Sequence, residues 1–303
     1  MKPTAGLRSR LHRCVVAILL AAASGWGAAN AAEPEITWYA TDFPPLYIVS
    51  GPQRGEGYYD LVLKRHLIPG LKTYKHRYVD ELPIQRVQML LDSDPASCQV
   101  GLFKTPERER KWAVSEAFLA PIPPGAFVRR SDAARLAGAL DADGKLSLTK
   151  LLDGGKVTVG VRSGRSYGVA ADASLKSHDG KPNLFRLTTP DASKSLFQMV
   201  SAERLDAVLG YPYEAAYHLA HDNPNANKGL KFYLLAEQTD YVMVHVVCAK
   251  SPLGQEVIRK VDALLNQPGM REAILGHYET WLDEELRPLA RRLQKQALPH
   301  MGK

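Results

Sequence analysis

Between Val100 and Phe118 the chain reads VGLFKTPERERKWAVSEAF, an apolar strand that ends in a turn carrying a cation. Thr105 suits a helix N-cap, Pro106 the first helical position, and Glu107 adds negative charge to the first turn, so a helix is predicted to begin here. Arg108 then stands near a helix N-terminus, where its guanidinium fork and unpaired backbone N–H groups make a receptor for a carboxylate or another anion. A lysine lacks that fork. The plainer alternative is that Thr105 only caps the helix and Arg108 pairs with a surface carboxylate.

A second candidate turn, Ser163, Gly164, Arg165, Ser166 and Tyr167, follows the apolar run Lys156–Val161. Small residues ahead of a helix bare backbone N–H groups to an anion, and Arg165 strengthens that reading, although it could equally face solvent. Phe43, Tyr211 and Tyr213 can stack on a flat ligand or serve as wall and core. Signals for catalysis are weak: no H-E-x-x-H is present, and no C-x-x-C. His218 and His221 lie three apart with Asp222 beside them but without a third ligand, so no metal and no cofactor is expected. Asp42 and Glu214 are the acids on the candidate loops that proton-transfer chemistry would need.

The elements that must hold these groups alternate. Glu35–Ala40, Lys75–Val79 and Cys98–Phe103 read as strands, with helical spacing over Gly57–Leu67 and from Pro83 to Leu91. Such alternation predicts a parallel α/β sheet. After Pro121 the pattern restarts, with strands at Gly125–Arg129, Lys156–Val161, Leu184–Leu187 and Leu205–Leu209, a polar insertion over Ser131–Lys150, and a helix over Ala192–Glu203. Two more apolar strands, Leu230–Leu235 and Tyr241–Cys248, precede helices at Gln255–Leu265 and Met270–Trp281. A basic amphipathic tail with Arg287, Arg291, Arg292 and Lys295 is expected to pack on its own domain.

The arginine turn resembles the "T-x-x-R … F-S-x-P-Y" signature of family 3 periplasmic solute-binding proteins, the amino-acid-binding branch of transporter receptors. GYYDL, KVTVGVRSGRSY and SAERLDAVLGY resemble three further elements of that family in the same order. The resemblance implies a type II, two-lobed periplasmic-binding-protein fold, with two α/β domains joined by two hinge strands. Residues 33–121 with 245–303 would form the first lobe and 122–244 the second. It also implies a non-catalytic monomer that closes on a small solute and serves an inner-membrane permease or a sensor. Asp42, Phe43, Lys104, Thr105 and Arg108 would face the cleft from one lobe, and Ser163–Tyr167 with Tyr211 and Tyr213 from the other. Arg108 matches the arginine that grips the ligand's carboxylate. Two departures matter. Tyr211 stands where an acid usually holds the ammonium, and Gly101 and Phe103 replace hydroxyl residues. The expected solute is therefore anionic or zwitterionic, with a free ammonium disfavoured unless Asp42 or Glu214 supplies a carboxylate. Some proteins of this fold are dehydratases, which keeps a periplasmic lyase as an alternative beside a degenerate protein-interaction module.

Residues 1–32 have the features of a cleaved secretory signal: Lys2, Arg8, Arg10 and Arg13 precede the apolar run Cys14–Ala23, and small residues follow. A periplasmic location follows. Cleavage lowers the formal charge from +7 to +3, and no dense basic patch interleaved with aromatics remains to favour nucleic acid. The remaining 271 residues suit two domains. Cys98 and Cys248 are either a disulfide or two buried thiols. The resemblance places both in one domain and favours the bridge, which in the chain-entropy model stabilises by about 4 to 5 kcal/mol.

Overall fold

The computed structural model describes residues 33–189, 191–222, 229–238 and 241–302, so the predicted leader lies outside the described residues. The strands are β1 (Glu35–Tyr39), β2 (Lys75–Val79), β3 (Ser97–Phe103), β4 (Trp112–Leu119), β5 (Gly125–Arg129), β6 (Val159–Arg162), β7 (Leu184–Leu187), β8 (Ala207–Gly210), β9 (Leu230–Leu234) and β10 (Val244–Ala249). They form two five-stranded sheets, β2-β1-β3-β10-β4 in the first lobe and β7-β6-β8-β5-β9 in the second.

The alternation of strand and helix predicts parallel sheets, yet both are mixed. β1 runs parallel to β2 and β3, and β6 parallel to β7 and β8. β10 opposes β3 and β4, while β5 opposes β8 and β9. The cause is connectivity: Val244, the first residue of β10, pairs with Phe103, the last of β3. A chain returning from the second lobe enters the sheet where its βα strands leave it. β4 was not legible in the sequence. Its buried positions do not alternate, because the β4–β10 register shifts on both sides of His245.

Among the described residues, ten α-helical segments flank the sheets. α1 begins at Tyr58–Val62 and runs through a π-helical turn, Leu63–Leu67, into Ile68–Gly70. Then come α2 (Ile84–Ser93), α3 (Pro106–Lys111), α4 (Leu148–Asp153), α5 (Val169–Ser177), α6 (Ala192–Ser201), α7 (Pro212–Asp222), α8 (Pro252–Leu265), α9 (Met270–Glu279) and α10 (Arg287–Met301). The polar insertion holds a 3₁₀ helix, Arg130–Ala139, as well as α4. The basic tail is α10, which buries Ala290, Leu293, Ala297 and Met301. Its Gln294 accepts a hydrogen bond from Ala120 N–H at 2.9 Å.

Local chemistry fixes the geometry around the cleft. The buried Asp60 carboxylate accepts from Ile48 N–H (3.0 Å), Gly57 N–H (3.2 Å) and the Tyr78 hydroxyl (2.7 Å), tying the long loop after β1 to α1. Burial lifts its pKa, and these hydrogen bonds oppose the lift. Gly101 has φ +91°, and the Tyr59 ring stands 1.9 Å from where a Cβ would lie, so only glycine permits both the backbone and the ring there. Cys98 and Cys248 face each other across β3 and β10 and are joined as a disulfide. The largest core packs Trp38, Tyr58, Phe118 and Tyr278 of the first lobe, and Tyr211 and Tyr213 of the second lobe join it.

Candidate functional site

Residues that follow β1, β3, β6 and β8 line two adjoining hollows between the lobes. The outer one, about 670 Å³, is lined by Asp42, Glu81, Arg162, Ser163, Gly164 and Arg165 among others. The inner one, about 280 Å³, is walled by Tyr47, Tyr58, Tyr59, Phe103, Tyr213 and apolar side chains. Thr41, Phe43, Ile84 and Tyr211 belong to both. Burial holds the Tyr211 phenol up at about 12 despite nearby Arg165, and also raises Tyr47, Tyr58 and Tyr213, so these rings are neutral near pH 7. Arg108 is the one charged side chain among the described residues that line the inner cavity.

The two arginines named from the sequence meet opposite fates. Arg108 is half-buried, donates from Nη1 to the Phe103 carbonyl at 2.7 Å, and lies with its guanidinium carbon 5.9 Å from the centre of the Trp112 ring. No carboxylate pairs with it among the described residues. Burial lowers its pKa, and the charge of Glu107 only partly opposes that shift. Arg165 instead makes a two-pronged pair with Glu214, Nη1 to Oε2 at 2.6 Å and Nη2 to Oε1 at 2.8 Å. Glu214 is 1% exposed and also accepts from Ser193 Oγ at 3.1 Å and Tyr211 N–H at 3.2 Å. Burial alone would lower the pKa of Arg165, but the charge and hydrogen bonds of Glu214 more than offset it and the net shift is upward. Its guanidinium carbon lies 5.5 Å from the Phe43 ring centre and 5.7 Å from that of Tyr211, spanning the lobes by cation–π contact.

The other candidates divide. Phe43, Tyr211 and Tyr213 come together, with Tyr211 and Tyr213 stacked at 4.9 Å and Tyr213 against Tyr58 and Tyr278. Asp42, Ser163 and Gly164 line only the outer hollow. Burial raises the Asp42 pKa, and the charges of Glu81 and Asp191 add to it. Lys104 points elsewhere, pairing with Glu109 at 2.9 Å. Thr105 caps α3 by accepting from Arg108 N–H at 3.2 Å. That bond corrects the expectation of an open helix terminus: α3 has six residues, and this backbone donor is already used. Ser166 donates to Asp172, and Tyr167 is fully buried in the second lobe's core, its hydroxyl accepting from Arg162 N–H at 2.9 Å.

One pattern escaped the sequence reading. Gly164–Gly168 reads GRSYG, the G-x-S-x-G spacing of a nucleophile elbow, and it does lie between β6 and α5. The Ser166 hydroxyl, however, is hydrogen-bonded to Asp172, and no histidine bonds to it among the described residues. The walls supplied by Tyr47, Tyr58 and Tyr59 were also missed. GYYDL signalled a helix start but not which way its rings face. The side chains of His221 and Asp222 lie outside the described residues, and the described ones contain no group of three or more residues suited to a metal.

No protein-family model and no curated protein matches the chain. Solved structures do. A probable amino-acid ABC transporter extracellular-binding protein from Bacillus subtilis superposes with a TM-score of 0.57 at 16% identity, covering 83% of this chain and 98% of its own. An ancestral cationic amino acid solute binding protein gives 0.56 at 17%, with 82% and 96% covered. A histidine kinase sensor domain similar to periplasmic binding proteins gives 0.53 at 14%, with 82% and 96% covered. At these identities the likeness establishes the fold, the two-lobed architecture of periplasmic binding proteins.

Proposed function

We propose that the protein is a periplasmic solute-binding protein whose interlobe cleft captures a small carboxylate on Arg108. The observation that carries this reading is a half-buried guanidinium lining a cavity without a counter-ion among the described residues. A desolvated, unpaired cation is costly, and an incoming carboxylate relieves that cost while taking the free side of the fork. The lobes, residues 33–121 with 245–303 and 122–244, would hinge about the crossing segments, with Tyr213 seated against Tyr58 and Tyr278 when closed.

Binding is favoured over lyase chemistry by the placement of the two candidate acids. Glu214 is held by Arg165, and Asp42 lines the outer hollow rather than the inner cavity. The signal-like leader and the likeness to transporter-binding and sensor proteins support export and service to a permease or a sensor. Melting curves recorded with amino acids, carboxylates and short peptides test the reading. A carboxylate should raise the melting temperature of the wild type but not of Arg108→Ala. Equal responses of the two proteins to every compound would refute the grip.

A further inference from the structure

We propose that the solute is a monocarboxylate with a flat, uncharged body, and that neither an α-amino acid nor a dicarboxylate fits; this rests on the carboxylate grip proposed above. Among the described residues the inner cavity offers one cation, Arg108, and no aspartate or glutamate lines it. A second carboxylate would need a second cation. Arg165, which lies over the shared Phe43 and Tyr211 walls, already spends both Nη groups on the two oxygens of Glu214, and Arg162 lines the outer hollow but not the inner cavity. The dicarboxylate would thus enter with one anion unmatched, which is unfavourable in a site of low polarity.

An ammonium group fares no better. Without a carboxylate it would find only ring faces and neutral acceptors, such as the buried Gln99 amide oxygen, and no opposite charge to offset its loss of hydration. Three rings of the cavity already have a partner on one face: Arg165 lies over Phe43 and Tyr211, and Tyr211 is stacked on Tyr213 with 13° between the ring planes. The field of Arg108 also repels a second cation in the same cavity. What the walls do favour is a ring. Tyr47, Tyr59, Phe103, Tyr213, Ile84 and Val244 form an aromatic and aliphatic lining for its body, with Arg108 for its carboxylate. A volume of about 280 Å³ suits one ring on a short chain, being at the lower edge of the range for small-molecule pockets.

Calorimetric titration with four probes tests this: 3-phenylpropionate, L-phenylalanine, phenylsuccinate and propionate. The expected order places 3-phenylpropionate first, with each of the others weaker by at least about tenfold. Arg108→Ala and Arg108→Gln should both lose the 3-phenylpropionate heat while keeping the wild-type circular dichroism spectrum. Arg108-dependent binding in which L-phenylalanine or phenylsuccinate equals or exceeds 3-phenylpropionate overturns the monocarboxylate assignment but keeps the carboxylate grip. Equal binding of propionate overturns the requirement for a ring. Failure of all four probes, or binding indifferent to Arg108, overturns the grip and the assignment with it.

Discussion

Arg108 and Arg165 stand on opposite lobes of one cleft and have the same side chain, but their surroundings give them different work. Arg165 is nearly enclosed, with 11% of its side chain exposed, and a buried glutamate fills its fork. Arg108 is half open, bonds one backbone carbonyl, and has no paired carboxylate among the described residues. A buried cation with its counter-ion built in is part of the architecture. One without a built-in counter-ion is the receptor in the function proposed above, because an incoming anion can meet its electrostatic need. Cleft arginines are therefore distinguished by what already satisfies them rather than by position.

The most severe way to break this contrast is to unpair Arg165. Glu214→Gln or Arg165→Met should each cost about 3–5 kcal/mol in urea unfolding, since either leaves a buried charge alone. The double variant Arg165→Met/Glu214→Leu should recover most of that loss, because apolar replacement of a whole buried pair is often neutral. Arg108→Ala should do the reverse, costing about 2 kcal/mol of carboxylate affinity by calorimetry while shifting unfolding by less than about 0.5 kcal/mol. Arg108→Lys sharpens the point: charge survives without the fork, and affinity should fall by only about tenfold.

The smallest effect concerns the acidic rim of the outer hollow. Burial first, then Glu81 and Asp191, hold Asp42 above its ordinary pKa of about 4. The folded protein then keeps this proton longer than the unfolded chain, so Asp42 erodes stability as pH rises from its ordinary value through its raised one. Urea midpoints across that window should fall less steeply for Asp42→Asn than for the wild type.

Much of the fold was legible because it rests on local signals. β2 and β7 lie where Lys75–Val79 and Leu184–Leu187 read as strands, and α6 follows the helical spacing of Ala192–Glu203 closely. β4 was not legible, because bulges opposite His245 erase its alternation, and the direction of β10 depends on a crossing between lobes. Within the site, Arg108 was recognisable from Thr105, Pro106 and the strand before them. Most of its cavity walls were not: Tyr47, Tyr58 and Tyr59 come from a loop and a helix start whose facing is set by packing, whereas Tyr213 was recognisable as an aromatic after β8.

The sequence by itself determined the alternation of strands and helices, the restart after Pro121, the cysteine pair and the two arginine turns. Each depends on propensity, periodicity or residue chemistry within a few positions. Only the tertiary structure decided which arginine is available. Arg165 and Glu214 are 49 residues apart, and their pairing requires the turn after β6 and the first turn of α7 to meet within 3 Å. Ionic and hydrogen-bond energies fall away over a few ångströms, a scale on which residue spacing along the chain carries no information.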